Sequence, residues 1–444
     1  MGNPTQASAS WWVSQRASTL VTAVMLALTM IVIRQSAQAQ TFTVIQNFTG
    51  GDGATPYSGL TMDAAGNFYG TTGLGGGGTG CSGYGCGSIY KLSRSGSGWR
   101  LTTLYSFNQD TDGSYPSGRV TFGPDGALYG STAFGGGGGG CGISDDCGTV
   151  FKLTPPVTGC QTALCYWNKT VLYEFTGGSD GASPYWGDLI FDQAGNIYGT
   201  TVGGGVGICP LLNRVPGCGV VFELTPSNGG WSERVLHHFS GAGDGASPRS
   251  GVIFDQIGNL YGTTAAGGGT GCSGQGCGTI FLLTRTGSGW TGNILYKFQG
   301  GNDGANAVGG ILFDQAGNLF GTTASAGSGG GGTIFELSPT NGAWNLAVLY
   351  SLTGTRYGGS WANLTMDTGG NLYGTTYGDG AYGFGNVFKL TRGNWTYTDL
   401  CDFANGNDVS NPVSSVAADA QRNLYGTASE GGADNFGVIW QIIP

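Results

Sequence analysis

Two histidines, His237 and His238, stand side by side in a chain of 444 residues that has no others. Any scheme that needs an imidazole has to run through that pair. Nothing in the chain reads as the strand–turn–helix that presents a nucleophilic serine, and there is no H-E-x-x-H helix to hold zinc. The two imidazoles fall where other copies of a repeated segment have Tyr-Ser or Tyr-Glu, which makes them substituted strand positions. Paired carboxylates for glycoside hydrolysis need no proximity in sequence, but no pattern singles out such a pair. No catalytic residue and no cofactor is assigned.

One acidic pattern recurs: GGDGATP at Asp52, DTDGSYP at Asp112, GSDGASP at Asp180, GDGASP at Asp244 and NDGAN at Asp303, with a weaker echo at Asp408. Asp-Gly followed by Pro is a turn in its own right. Calcium requires several oxygen ligands, and one Asp per loop falls short of that. These loops are therefore expected to be turns, and no metal is assigned.

Ten of the eleven cysteines form close pairs: Cys81 with Cys86, Cys141 with Cys147, Cys160 with Cys165, Cys209 with Cys218 and Cys272 with Cys277. Each pair lies in its own copy of the repeat with no histidine near, so local disulfides are expected rather than zinc sites. Cys401 is left over and is expected as a buried thiol. Disulfides imply an oxidising compartment. The first 39 residues fit that: Arg16 precedes an apolar run over residues 20–33, and Ala37-Gln38-Ala39 resembles a cleavage site. Residues 1–39 are expected to be a secretory signal peptide, with the protein secreted or held in the periplasm or cell envelope. No membrane insertion of the mature chain is expected, because no second apolar run of spanning length follows. The formal charge is −9, and Arg16 and Arg34 are the only charged side chains before residue 40, so the remainder is near −11. That balance argues against nucleic acid as a partner.

What would position any site is a repeat. The stretch FDQIGNLYGTT at residues 254–264 returns in altered form at Asp63, Gly123, Asp192, Asp314, Asp367 and Asp419, making seven copies. Each copy has four short segments rich in β-branched and aromatic residues, separated by Gly, Asn, Asp and Ser. In the fourth copy these are residues 251–255, 259–264, 278–283 and 290–298. The D-x-x-G-N link is a tight turn; the second link is glycine-rich and carries the cysteines; the third leads to Trp99, Trp167, Trp231, Trp290, Trp344 or Trp395. Six tryptophans serve seven copies, and the missing fourth strand is available at residues 41–48, TFTVIQNF. The expected fold is all-β: residues 40–444 form a seven-bladed β-propeller of four-stranded blades, closed by the N-terminal strand pairing with the C-terminal blade.

The D-x-x-G-N-L-Y-G-T-T core and its glycine-rich sequel resemble the Gloeo/Verruco, or GloVer, repeat of exported bacterial proteins, over essentially all of residues 41–444. The strand–turn–strand unit is also similar, more loosely, to NHL/SMP-30-type propeller blades. The resemblance implies a repeat scaffold and supplies no catalytic residue.

In such a ring the Asp-Gly loops and the glycine-rich loops emerge on one face. Aligning the copies on Leu60-Thr61-Met62 and stepping back three places gives Tyr57, Ser117, Trp186, Arg249, Val308, Trp361 and Val413 beside the channel mouth. Neighbouring columns add Tyr185, Arg119 and Asp188. Aromatic rings beside a few polar groups suit sugar or peptide recognition. The expected function is a non-catalytic binding scaffold for an extracellular glycan, peptide or surface protein. The alternatives are a polysaccharide-acting enzyme and a purely structural envelope protein.

Overall fold

A computed structural model describes residues 40–444, apart from 79, 109–111, 138–140, 142–146, 157–165, 208, 210–215, 288, 355–357 and 405–408. The expected signal peptide over residues 1–39, the expected pair of Cys160 and Cys165, and Asp408 lie outside the described residues. Seven four-stranded antiparallel sheets follow one another along the chain. In blade 1 the strands run outward from the axis as Thr61–Met62, Phe68–Thr72, Ser88–Ser95 and Gly98–Ser106. Blade 7 is assembled from Ala417–Ala418, Leu424–Ala428, Val438–Ile443 and, outermost, Thr41–Asn47. The expected seven-bladed propeller with a split closing blade is what forms.

The innermost strands are shorter than the sequence pattern predicts. Residues 251–255 read as one strand, yet only Ile253–Phe254 join the ladder. The residues just before are spent sideways, on the preceding blade. Thr200 Oγ1 donates to the Ser250 carbonyl at 2.7 Å, and Thr263 Oγ1 to that of Gly309 at 3.0 Å.

Each residue of the repeated motif has a physical task. Asp63 Oδ1 accepts the backbone N–H groups of Ala65 and Asn67, both at 2.9 Å, which closes the turn. Its Oδ2 accepts Asn67 Nδ2 at 2.8 Å and the Tyr69 hydroxyl at 3.1 Å. Burial alone would raise this carboxyl, but the bonds from Asn67, Tyr69 and Ala65 outweigh it and hold its pKa below the ordinary value. The same four contacts recur at Asp192, Asp255, Asp367 and Asp419. Gly66 has φ +78 and open space where a Cβ would stand, so only backbone freedom is required there. In blade 7 that place is taken by Arg422 at φ +68, a strained substitute.

The tyrosine ring thus fixed meets the next blade edge-on: Tyr69 with Phe122, Tyr198 with Phe254 and Tyr261 with Phe313, at 5.0–5.2 Å between centroids. The tryptophan of the next outermost strand flanks it, as Trp290 does Tyr198 and Trp344 does Tyr261, both at 6.4 Å. Each such aromatic pair adds about 1 kcal/mol beyond its buried area. The following glycine lets the third-strand aromatic cross the sheet: a Cβ on Gly199 would lie 2.6 Å from Phe222 Cζ. The second threonine ties the second strand to the third, as Thr132 Oγ1 does to Thr149 Oγ1 at 2.9 Å.

Closure uses the same parts. Thr427 Oγ1 donates to the carbonyls of Pro56 and Ser58, at 3.1 and 2.9 Å, bolting blade 7 to blade 1. Phe48 N donates to the Gly437 carbonyl at 3.1 Å, and Asn47 Oδ1 accepts from Ala433 N at 3.0 Å. Deleting residues 41–48 strips blade 7 of its outer strand and of the buried Phe48 side chain. The truncated chain is expected to unfold at lower denaturant and over a broader range than the full chain; an unchanged midpoint in a urea titration would refute ring closure through this strand.

One interface carries a misfit. In blade 2, Lys169 Nζ lies 2.8 Å from Asp112 Oδ1 on the preceding crossover. The same register position in blade 3 is Glu233, next to Asp180. Glu233 Oε1 is buried without a hydrogen-bond partner, and burial first, then Asp180, pushes its pKa up to about 7. A carboxyl raised on folding is favourable when protonated, so the fold loses stability as pH rises from the unfolded glutamate value through 7. Glu233→Gln is expected to stabilise the protein at pH 8 by about 1 kcal/mol, discounted for partial exposure, with the gain vanishing by about pH 4. Thermal melts at the two pH values check this.

Candidate functional site

The Asp-Gly loops and the glycine-rich loops meet on one face. Bridges between Ala54 and Leu74, Ser114 and Phe134, Ala182 and Gly203, Ala246 and Ala266, and Ala305 and Ser325 pair them blade by blade. The recurring loop aspartates cap the crossover from the preceding blade. Asp52 accepts Thr49 N at 2.8 Å, Asp180 accepts Thr176 N at 2.8 Å, and Asp303 accepts Gln299 N at 2.8 Å. An outer-strand tyrosine donates to the loop carboxylate of Asp112, Asp180 and Asp303, from Tyr105, Tyr173 and Tyr296. His237 stands in for that tyrosine, its Nε2 3.4 Å from Asp244 Oδ2. The histidine is therefore a strand substitution with a structural partner. Where the loop into blade 6 lacks an aspartate, Asp379 from the glycine-rich loop accepts Thr353 N at 3.0 Å instead.

Four of the five expected disulfides are formed, Cys81–Cys86, Cys141–Cys147, Cys209–Cys218 and Cys272–Cys277. They stiffen the glycine-rich loops of blades 1–4. The fifth expected pairing, of Cys160 and Cys165, falls outside the described residues, so neither Cys160 nor Cys165 is placed in a disulfide here. Those two cysteines also differ from the rest in position: they lie between the third and fourth strands of blade 2, Thr149–Thr154 and Asn168–Glu174, not in a glycine-rich loop. Cys401 is a thiol, half-buried rather than buried as expected, because it sits at an outer-strand position opposite Val387. Among the described residues no group of histidine, cysteine and carboxylate side chains is placed to hold a metal ion.

The variable column converges. Tyr57, Ser117, Trp186, Arg249, Val308, Trp361 and Val413 all line one cavity at the axis, with Arg119 and Asp188 beneath them. Tyr185 is not part of that lining, but its ring centroid is 4.1 Å from that of Trp186. Trp186 of blade 3 and Trp361 of blade 6 meet across the channel, edge to face, with centroids 5.5 Å apart. Tyr57, Tyr115 and Tyr185 continue the aromatic rim at 5.8 and 5.6 Å, and Tyr377 extends it beyond Trp361 at 5.7 Å. Burial, foremost, pushes the Tyr185 phenol up to about 12 and also raises Tyr57 and Tyr115, so these phenols are uncharged at neutral pH.

An insertion brings Trp186 to the centre. Asp180 to Leu189 is nine steps, whereas Asp112 to Val120 is eight. The extra residue leaves Trp186 at φ +65, with its N–H donating to Ser117 Oγ at 3.2 Å. A non-glycine residue held there is strained, and such strain concentrates at functional sites.

Below the rim a polar layer shuts the channel. Arg119 Nη2 lies 2.9 Å from Asp188 Oδ2, and Arg119 N donates to Asp188 Oδ1 at 3.1 Å. Asn363 Nδ2 donates to Asp188 Oδ2 at 3.3 Å, while Asn363 Oδ1 accepts Gly310 N at 2.6 Å. These residues share one repeat position, where the other blades have Gly59, Gly251, Gly310 and Ser415. The glycines make room: a Cβ on Gly251 would lie 2.2 Å from the Asp188 carbonyl oxygen. The space left is about 40 Å³, enough for a few waters and too little for a sugar ring. Sequence reasoning missed Asn363, Tyr115 and Tyr377; Asn363 was findable as the third polar residue in the column of Arg119 and Asp188.

Ring, repeat and mouth together define a seven-bladed β-propeller repeat protein. The chain belongs to the Gloeobacter/Verrucomicrobia repeat family, whose model matches residues 31–207, 142–343 and 270–444. No curated protein sequence matches it. Two solved structures are similar in outline. One, from Bacteroides uniformis, is provisionally named a 6-phosphogluconolactonase: 15% identity, TM-score 0.46, covering 86% of this chain and 87% of that one. The other is provisionally named a gluconolactonase: 10% identity, TM-score 0.38, covering 91% and 92%.

Removing the carboxylate of the floor tests its role. Asp188→Ala leaves Arg119 and Asn363 without their shared acceptor and is expected to cost about 2 kcal/mol. A chemical denaturation curve matching the parent chain would show that the layer does not brace the ring.

Proposed function

We propose that this propeller is an exported, non-catalytic binding scaffold whose ligand, a glycan or a peptide, is held at the aromatic mouth. The observation that carries the reading is the gathering of Tyr57, Trp186, Trp361 and Arg249 at one place from a column that varies within a closely repeated pattern. Asp188 is the single carboxylate among the described lining residues, and it is already engaged by Arg119 and Asn363. That arrangement favours binding over carboxylate-pair hydrolysis, which needs two carboxyl groups about 5–10 Å apart. Export is supported by the four disulfides, which form and persist in oxidising compartments.

A screen of glycans and peptides against the full chain tests the reading, with Trp186→Ala/Trp361→Ala as the control. The parent is expected to bind at least one ligand, and the double variant to lose it. Because the two indoles also pack on each other, and Trp361 on Val308, the variant is expected to melt a few degrees lower, still cooperatively. Unaltered affinity in the variant would remove the mouth as the site.

A further inference from the structure

The disulfides of the glycine-rich loops reach the mouth through the backbone. In each of blades 1–4 the second cysteine of the bridge accepts, by its carbonyl, a backbone N–H from the loop entering the next blade. Tyr115 N donates to Cys86 at 2.9 Å, Ser183 to Cys147 at 2.7 Å, Ser247 to Cys218 at 2.9 Å and Asn306 to Cys277 at 2.9 Å. All four donors have left-handed backbone, φ +54 to +60, which a side chain keeps only where its surroundings hold it. Blades 6 and 7 make the same bond without a bridge: Asn411 N donates to Phe384 and Thr55 N to Phe436, both at 2.9 Å.

One of the four donors carries a ring of the rim. The Tyr115 side chain lies between Tyr57 and Tyr185, stacked on the latter at 5.6 Å. Its backbone has two clamps. The carbonyl accepts Ala133 N of its own blade at 3.1 Å, and the N–H goes across to Cys86 of blade 1. The second clamp depends on the bridge. The loop behind it turns at Gly75 and Gly85, both at φ +76, and Cys81 itself stands at φ +52. Glycine backbone has the most freedom to regain when a cross-link opens. Cys86 is fully buried in the core, whereas Cys81 is only partly covered. Both cysteines of the blade 2 and blade 3 bridges are buried, so the blade 1 bridge offers the easier approach to a reagent.

We propose that the Cys81–Cys86 disulfide is a redox latch on the mouth, whose reduction by a dithiol unclamps Tyr115 while the ring of blades stays folded. A thiolate of the dithiol attacks Cys81 Sγ, the more accessible sulfur, and Cys86 leaves as a thiolate. The reagent's second thiol then displaces Cys81. The protein ends with two thiols, the reagent with one disulfide, and two protons pass from reagent to protein. The freed Cys86 side chain stays in apolar surroundings, which favour the neutral thiol. The loop that carries its carbonyl then relaxes away from Tyr115 N.

Hydrogen exchange on the full chain, oxidised and after dithiothreitol, tests the latch, with alkylation of the new thiols reporting which bridge has opened. Reduction of Cys81–Cys86 is expected to speed exchange at the Tyr115 amide about tenfold. The amides of Thr55 and Asn411, held by phenylalanine carbonyls, are internal references and are expected to keep their rates. Cys81→Ala/Cys86→Ala is expected to show the faster Tyr115 exchange without reductant and to unfold in one cooperative transition. Where that variant does not fold, the reduced parent alone decides. An unchanged Tyr115 rate with the bridge shown open overturns the inference, as does a bridge that stays closed under excess dithiothreitol. Reduction that unfolds the parent, or that speeds Thr55 and Asn411 as much as Tyr115, overturns it too, because the bridge then braces the whole ring. Each of these outcomes leaves the proposed function standing.

Discussion

The carboxylate of the D-x-x-G-N turn grips the phenol of the strand that follows, and the ring so fixed is the surface on which the next blade packs. Asp192 shows the chain of dependence whole. It closes its turn through Ala194 and Asn196, holds the Tyr198 hydroxyl at 3.1 Å, and Tyr198 meets Phe254 of blade 4 at 5.1 Å. Apart from the contacts that blades 3 and 6 make across the axis, each blade packs on its two neighbours, so the stability is close to a sum of blade and interface terms. One interaction that sets both the turn and the interface therefore sets most of that sum. The exceptions show which half matters. Blade 5 has Phe320 in the tyrosine position; Asp314 keeps the turn, and the ring packs on Trp395 without a hydroxyl. Blade 2 has Gly123 in the aspartate position, and Asp125, two residues on, takes the Tyr129 hydroxyl at 3.1 Å. An aromatic ring is kept in every case, buried in all but Tyr373 of blade 6, and the route to its anchorage varies.

The threonine bolts close the ring at a fixed width. Thr71, Thr200, Thr263, Thr375 and Thr427 each donate to a backbone carbonyl just before the next innermost strand. That carbonyl lies within a few residues of the column that faces the axis. The bolts hold the mouth positions near one another, and the motif that builds the ring also sets the separation across which Trp186 and Trp361 meet.

The architecture was legible because it is written seven times. A hairpin needs Asp, Gly and Asn in order, and an interface needs an aromatic at fixed phase, so each task leaves a residue at the same step of most copies. Disulfides and closure followed from residues out of phase with that pattern: cysteines confined to some loops, and a tryptophan count one short. The candidate site was legible for the opposite reason, as variation at a position where turn chemistry requires none. What could not be read was geometry across the axis. Tyr115 lies next to a proline in a loop and reads as a turn residue, yet its left-handed backbone, φ +60, turns its ring into the rim between Tyr57 and Tyr185. Asn363 is far in sequence from Asp188, and only a closed ring brings blades 3 and 6 face to face.

Strain and bracing at the mouth have a common cause. A bare seven-bladed ring leaves an axial channel, and this chain fills it with side chains from blades 2, 3 and 6 while the others contribute Gly59, Gly251, Gly310 and Ser415 at the same level. Filling converts a pore into a floor. A floor lets the rim above it exclude water from one side, which strengthens polar contacts made there. The one-residue insertion before Trp186 then costs backbone strain to carry an indole over that floor. Ser117 and Val413 occupy the same position in blades 2 and 7 without that strain. The strain is the cost of placing the Trp186 indole at the axis, where it meets Trp361 of blade 6 edge to face.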